Sequence, residues 1–215
     1  AQSYNGFDES VPALTAWHGL RWAGEGTSAG DATVLRFDGA WESQHTFTGH
    51  HTVRSLTPWN GTMVAGLGDT TGLGDIWSFD GEDWSQLLDG SSQRVDALQV
   101  FDGDLYAGQM ALTNVDGAGD ILRFDGDQWT TSHASALNGA YAMTVHNGAI
   151  YAGVGTEPTG DGKVLRLGGT GWTEVFDAPT DTVLSLAVHR GRLYAGTGDS
   201  SGPNGDIYAW GNDYL

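Results

Sequence analysis

The 215-residue chain has no cysteine, so no disulfide stabilises it and no thiol chemistry is available to it. Basic residues are scarce: there are 9 against 27 acidic ones, the formal charge is -18, and Lys163 is the one lysine. Without a basic stripe, a nucleic acid or an anionic membrane surface is not expected as a partner. No apolar run reaches the roughly 18 residues of a membrane-spanning helix, so membrane insertion is not expected either.

The acidic composition indicates a setting. Arginine in preference to lysine, with abundant Asp, Thr and Gly, resembles proteins of halophiles, in which salt screens the self-repulsion of a large net charge. The chain begins at Ala1 rather than Met, which suits a secreted protein after signal removal. We therefore expect an extracellular protein, or one on a cell or virion surface, of a halophile.

One dipeptide, Ala-Gly, marks an internal repeat. Its five copies are Ala23-Gly24, Ala65-Gly66, Ala107-Gly108, Ala152-Gly153 and Ala195-Gly196. Successive copies are 42, 42, 45 and 43 residues apart, and the step from the last copy round to the first is 43, which accounts for the whole chain. Such a period is typical of a solenoid or a propeller. The predicted units are approximately 11–52, 53–94, 95–139, 140–182, and 183–215 together with 1–10.

Each unit predicts four short strands, which we designate A to D. In the third unit they are 95–101, 105–108, 121–124 and a strand from 129. Asp-Gly or Asn-Gly separates A from B and C from D in most units, and both residues of such a pair adopt positive φ at low cost, as tight hairpins require. The hairpin pairs are Asp38-Gly39, Asn60-Gly61, Asp80-Gly81, Asp102-Gly103, Asp125-Gly126 and Asn147-Gly148. Each unit is therefore interpreted as an antiparallel meander.

The chain ends predict how the repeats close. Leu215 falls at the position that tryptophan takes in the first four D strands (Trp41, Trp84, Trp129 and Trp172), where we interpret it as a packing anchor. Residues 1–4 align with 173–176, which follow that tryptophan. We expect an all-β, single-domain chain over 1–215: a five-bladed β-propeller of four-stranded antiparallel blades, closed by the N-terminal strand completing the last blade.

The order of these residues resembles a known repeat. Tyr106-Ala-Gly108, then Phe124-Asp-Gly126, then Trp129 is similar to the kelch-type propeller repeat, which has Gly-Gly where this chain has Ala-Gly. A ring of five blades is similar in number to the tachylectin-2-like lectins. The resemblance implies a propeller fold, with functions from protein interaction to sugar binding and, rarely, oxidation; it does not choose among them.

The units differ most in the loops between strands B and C. These loops are 25–32, 67–75, 109–120, 154–163 and 197–206. Variable loops on a rigid repeat scaffold are where binding specificity usually lies, so we expect the B-C loop face to bind the ligand. The candidate ligand-binding residues on it are Asp69, Asp75, Asp116, Asp120, Glu157, Asp199 and Asp206.

One B-C loop resembles part of a calcium loop. In Asn114-Val-Asp116-Gly117-Ala-Gly-Asp120, three oxygen ligands have suitable spacing and Gly117 supplies the turn. Leu112, however, occupies the first ligand position. Asn114, Asp116 and Asp120 are therefore either calcium ligands or members of a plain acidic turn, and no motif for any other cofactor is present.

Catalytic signatures are sparse. Asp96 is the one acid in the five A strands, whereas glycoside hydrolysis needs two carboxyl groups flanking the scissile bond. No catalytic triad is evident. We therefore expect a non-enzymatic binding or assembly scaffold whose partner is a protein, with a lectin-like propeller that binds a surface glycan as the first alternative and a glycoside hydrolase or other hydrolase as the second. The sequence leaves the oligomeric state open.

Overall fold

A computed structural model describes residues 10–26, 30–68, 74–90, 93–111, 119–157, 160–198 and 205–210. Within them all regular structure is β-strand, which confirms the predicted all-β class. The strands are β1 Ser10–Trp17, β2 Leu20–Gly26, β3 Ala32–Phe37, β4 Trp41–Phe47, β5 Val53–Trp59, β6 Thr62–Leu67, β7 Ile76–Phe79, β8 Trp84–Leu88, β9 Gln93–Phe101, β10 Asp104–Ala111, β11 Ile121–Phe124, β12 Trp129–His133, β13 Gly139–His146, β14 Ala149–Thr156, β15 Gly160–Gly168, β16 Gly171–Ala178, β17 Thr182–His189, β18 Arg192–Gly198 and β19 Ile207–Trp210. No helix suited to crossing a membrane occurs in the described ranges.

The chain forms two compact units, Ala1–Val95 and Asp96–Leu215. The first contains sheet 1 (β1 to β4) and sheet 2 (β5 to β8), each an antiparallel meander in chain order. The second contains sheet 3 (β9 to β12, with β9 starting in the first unit), sheet 4 (β13 to β16) and the three described strands of sheet 5 (β17 to β19). One residue pair, Met110 with Gly139, links sheets 3 and 4 by hydrogen bonding. Sheets 1 and 2 are thus the predicted four-stranded antiparallel meanders, and sheets 3 and 4 repeat the pattern twice within one hydrogen-bonded sheet of eight strands.

The two kinds of hairpin turn use different chemistry. In the A-B turns both residues are left-handed, as in Asn60 (φ 47°) followed by Gly61 (φ 86°). In the C-D turns only the glycine has a positive φ, as in Gly126 (φ 105°). The prediction of two positive φ values is therefore wrong for these turns. Asp125 instead accepts hydrogen bonds on Oδ1 from the backbone N–H groups of Asp127 (2.9 Å) and Gln128 (3.0 Å). Its side chain therefore closes the turn as an Asx motif.

The repeated glycine lets neighbouring sheets approach closely. A Cβ placed on Gly24 would lie 2.6 Å from Val53 Cγ1, and one placed on Gly153 would lie 2.6 Å from Val183 Cγ1. Real Cβ atoms do not come this close, so both positions require glycine. Val53 and Val183 are fully buried in these contacts. The predicted packing role of the dipeptide is confirmed.

Three D-strand tryptophans, Trp41, Trp84 and Trp129, pack against an aromatic ring of strand C, as anchors should. Trp129 stacks on Phe124 with ring centroids 4.9 Å apart, and Trp84 stacks on Phe79 at 5.2 Å. Each such pair contributes about 0.5–1.5 kcal/mol beyond its buried area.

The structure contradicts the predicted fourth B-C loop and does not test the predicted ring closure. The fourth B-C loop, predicted over 154–163, is mostly strand, because β14 continues to Thr156 and β15 starts at Gly160. Most of the residues predicted as loop therefore belong to strands, and that prediction is wrong. The ring-closing segments, residues 1–9 and 211–215, lie outside the described residues.

Candidate functional site: the cleft beside Lys163

A Gly-Asp step stands at the same register position, just before the C strand, in three of the five sheets. The steps are Gly74-Asp75, Gly119-Asp120 and Gly205-Asp206. In each, the aspartate carbonyl accepts a 2.9 Å hydrogen bond from the backbone N–H of the matching strand-B residue (Leu67, Gln109 or Thr197). In sheet 4 the matching pair joins Val154 to Lys163, and in sheet 1 it joins Glu25 to Thr33. The position therefore holds aspartate in three sheets, threonine in sheet 1 and the chain's one lysine in sheet 4.

Asp75 shows what the repeated aspartate does. Its side chain is 10% exposed; Oδ1 accepts a hydrogen bond from the Gly90 N–H and Oδ2 one from Gln86 Nε2, both at 2.9 Å. His50 Nε2 lies 3.3 Å from Oδ2. The carboxylate thus fastens the crossover that leads from strand D of sheet 2 to the next strand A.

Asp120 likewise fastens the crossover that leaves sheet 3. Its Oδ1 accepts a hydrogen bond from the Ser135 N–H at 3.0 Å, within the crossover that follows β12. Ser135 in turn accepts the Leu137 N–H on its hydroxyl at 3.0 Å. Asp75 and Asp120, both expected to bind ligand, hold crossovers in place.

The remaining predicted site residues are placed as follows. Asp206 is exposed, and its Oδ2 accepts a hydrogen bond from the Tyr208 hydroxyl at 3.3 Å. Glu157 is partly exposed directly after β14. Asp69, Asn114, Asp116 and Asp199 lie outside the described residues, and with them most of the calcium-loop candidate. The described part of the chain contains no group of three or more side chains arranged to hold a metal ion.

Lys163 faces carboxylates rather than a crossover. Its Nζ lies 2.9 Å from Glu174 Oε2, 3.8 Å from Asp177 Oδ1 and 4.0 Å from Asp161 Oδ1. The hydrogen bond to Glu174 is the main cause that raises the pKa of the Lys163 ammonium. The lysine is 25% exposed and the three carboxylates 45–55%, so the charges lie at the mouth of a cleft.

The cleft has a volume of about 480 Å³ and lies between sheets 3 and 4. One wall is the crossover, residues 133–137. The other is one face of sheet 4, where the strand register places Leu165 beside Glu174 and Lys163 beside Asp177. The lining residues of this second wall are Val154, Asp161, Lys163, Leu165, Trp172 and Glu174.

Two aromatic side chains complete the cleft. Trp172 donates its indole N–H to Ser132 Oγ at 2.9 Å and meets the Tyr106 ring edge-on at 6.3 Å. His133 lies 6.5 Å from the Trp172 ring, and burial lowers the pKa of its imidazole, opposed by the nearby Asp120 carboxylate. Burial therefore favours the neutral form of the His133 imidazole at this wall of the cleft.

The carboxylates of the cleft are open to solvent beside a positive charge. Asp161 and Glu174 are about half exposed, at 4.0 Å and 2.9 Å from Lys163 Nζ. Such a group offers hydrogen-bond acceptors to a polar or cationic ligand.

This cleft is not predicted from the sequence, which assigns Trp172 to packing and gives Lys163 no role. The departure from the Gly-Asp pattern at Lys163 is no sufficient signal, because Thr33 in sheet 1 departs from the pattern as well.

A second cleft, of about 600 Å³, lies at the hairpin-turn side of sheets 3 and 4. Asp104 Oδ2 accepts a 2.6 Å hydrogen bond from Arg123 Nε in its wall, and burial raises the pKa of the neighbouring Tyr106 phenol. Its charged lining residues are Asp102, Asp104, Arg123 and Arg166, whose charges balance, so it selects the charge of a ligand less directly than the Lys163 cleft does.

No family model and no curated protein matches this sequence. Solved structures do resemble it. The extracellular domain of a putative one-component system from B. thetaiotaomicron is 14% identical with a TM-score of 0.67, over 99% of this chain and 28% of that one. The Niastella koreensis GH74 enzyme is 16% identical with a TM-score of 0.64, over 95% and 36%. The computationally designed Ika8 protein is 18% identical with a TM-score of 0.58, over 97% and 60%.

These similarities concern the fold alone, because every identity is below 20%. They support an all-β, β-propeller-like fold for this chain. The chain spans less than two thirds of the length of each of the three proteins.

Proposed function

We propose that this protein is a non-enzymatic extracellular binding or assembly scaffold that engages a protein partner through the B-C loop face. The observation that carries the proposal is the charged cleft beside Lys163. In sheets 2 and 3 the aspartate at the position of Lys163 fastens the neighbouring crossover. In sheet 4 the position carries the Lys163 ammonium, which lies among three carboxylates at the mouth of a cleft of about 480 Å³. Among the described residues this group of a lysine and three carboxylates occurs in one repeat, which suits a single directed contact better than five equal sugar sites.

A photo-crosslinking experiment tests the proposed face. A photoreactive residue replaces Glu157, after β14 on the B-C loop face, or Asp127, in a C-D turn as the matched control. Both proteins are incubated with surface and secreted proteins of the source organism and irradiated. We expect discrete protein adducts from position 157 and not from position 127. Equal adducts from both positions, or hydrolysis of glycoside substrates by the purified protein, would overturn the proposal.

We also infer that the chain closes into the five-bladed ring, with kelch-like repeats and a last blade completed by the N-terminal residues. Ile207 is 81% exposed, whereas the residues at the same register position in the other four sheets (Val34, Ile76, Ile121 and Val164) are 0% exposed. Likewise Val11 in strand A of sheet 1 is 36% exposed. Exposed apolar positions that are buried in every other repeat support a further interface that covers them.

Engineered pairs of cysteines test the ring closure. The chain has no cysteine of its own, so no other disulfide can form. A Cβ on Gly153 would lie 3.3 Å from Val183 Cβ, near the separation that a disulfide needs. The pair Gly153→Cys with Val183→Cys is therefore the positive control, and Gly196→Cys with Val11→Cys is the test. We expect both pairs to form bonds within one chain. Bonds of the second pair that form only between chains would contradict a closed monomer.

A further inference from the structure

The mouth of the Lys163 cleft carries more negative than positive charge. Asp161, Glu174 and Asp177 surround one ammonium, and the charge of this group is therefore about -2. All three carboxylates are about half exposed, so each keeps lone pairs directed to solvent or to a ligand. A cationic occupant is electrostatically favoured here.

The aromatic wall favours the same kind of occupant. Because Trp172 donates its N–H to Ser132 Oγ, its polar edge is already used, and it lines the cleft as an aromatic side chain. The faces of indole rings attract cations, and arginine most often. Leu165 lies in the same wall and offers apolar contact to the methylene stem of a long basic side chain.

We propose that this cleft receives an arginine side chain of the protein partner, with the guanidinium between the Glu174 and Asp161 carboxylates and the Trp172 ring. The arginine proposal rests on the proposed scaffold function, and it names the chemical group that the protein partner presents to the cleft. Arginine is chosen over lysine because its planar guanidinium both stacks on aromatic rings and donates a fork of hydrogen bonds to carboxylates. The volume of about 480 Å³ leaves room for the flanking main chain of the partner.

Nuclear magnetic resonance of the Trp172 indole N–H tests the proposal with small probes. Nα-acetyl-arginine amide is titrated into the ¹⁵N-labelled protein, and the citrulline analogue, which has the same shape without the charge, is the control ligand. We expect a saturable shift of the Trp172 signal with the arginine probe in the millimolar range, and binding of the citrulline probe weaker by about tenfold or more.

Two variants locate the contact. In Glu174→Gln, which keeps the size of the side chain and removes its charge, we expect affinity for the arginine probe to fall about fivefold. Asp127→Asn, with the same kind of change on a C-D turn, should bind like the parent protein. Equal affinity for the two probes, or an unchanged affinity in Glu174→Gln, would overturn the proposal.

A glycan at the same place is distinguished by the same signal. If methyl glycosides shift the Trp172 resonance and the arginine probe does not, the arginine proposal is wrong and the lectin alternative gains support. If neither moves the signal while position 157 still crosslinks to a protein, the arginine proposal fails and the scaffold proposal stands.

Discussion

Asp75 and Gly90 are joined by a 2.9 Å hydrogen bond from the Gly90 N–H to the Asp75 carboxylate, across a crossover between repeats. Because the Asp75 side chain is only 10% exposed, removing it leaves this N–H and Gln86 Nε2 without their acceptor. We expect Asp75→Ala to lower the free energy of unfolding by about 2 kcal/mol or more.

Urea denaturation measures this loss. Asp75→Asn keeps one acceptor oxygen, so its free energy of unfolding should fall less than that of Asp75→Ala. The exposed Asp127→Ala is the control and should change stability by less than about 0.5 kcal/mol. If Asp75→Ala is as stable as the parent, the carboxylate does not fasten the crossover.

Gly153 tests the close approach of sheets 4 and 5. A methyl group there would lie 2.6 Å from Val183 Cγ1, so we expect Gly153→Ala to destabilise the protein by about 1–3 kcal/mol. Gly169→Ala is the control, because nothing lies within 4 Å of the added methyl group. The double variant Gly153→Ala with Val183→Ala should recover part of the loss, and a purely additive double-mutant cycle would argue against the contact.

The sequence predicted the fold better than the site because the two depend on different kinds of signal. The A-B turn at Asn60-Gly61 and the stacking of Trp129 on Phe124 follow from local chemistry that recurs along the chain. The cleft depends on how β15 and β16 place Lys163 beside Asp177, which the bulge between Val164 and Leu165 adjusts. Such a register is set by pairing between strands, and no local motif encodes it.

The formal charge of -18 predicts stabilisation by salt. Salt screens the repulsion among surface carboxylates, so we expect the Tm to rise between about 0.1 M and about 2 M NaCl. Differential scanning fluorimetry across this range measures the rise, with an uncharged osmolyte at matched osmolality as the control for general solute exclusion. A Tm that stays constant or falls with salt would contradict the expectation of a salt-adapted protein.

His133 predicts a pH dependence of stability. Burial lowers the pKa of its imidazole in the folded state, so the unfolded chain binds this proton more readily. Its contribution to stability is complete above the ordinary histidine pKa of 6.5 and is lost as the pH falls from there toward the folded-state pKa. We expect the difference in unfolding free energy between about pH 7.5 and about pH 5.5 to be smaller in His133→Asn than in the parent.

Urea titrations of both proteins at the two pH values measure that difference. His45, whose pKa is also lowered by burial, remains in both proteins, so part of the dependence should persist. The same difference in the parent and in His133→Asn would show that His133 does not contribute.

The measurement that most directly tests the cleft as a site for a basic side chain is the affinity of Lys163→Met for Nα-acetyl-arginine amide. The Lys163 ammonium, 2.9 Å from Glu174, competes with an incoming guanidinium for the same carboxylates. Its removal should therefore tighten binding of the arginine probe about fivefold. If Lys163→Met instead binds the probe more weakly than the parent does, the lysine is itself a ligand-contacting donor, and the cleft is not a cation site.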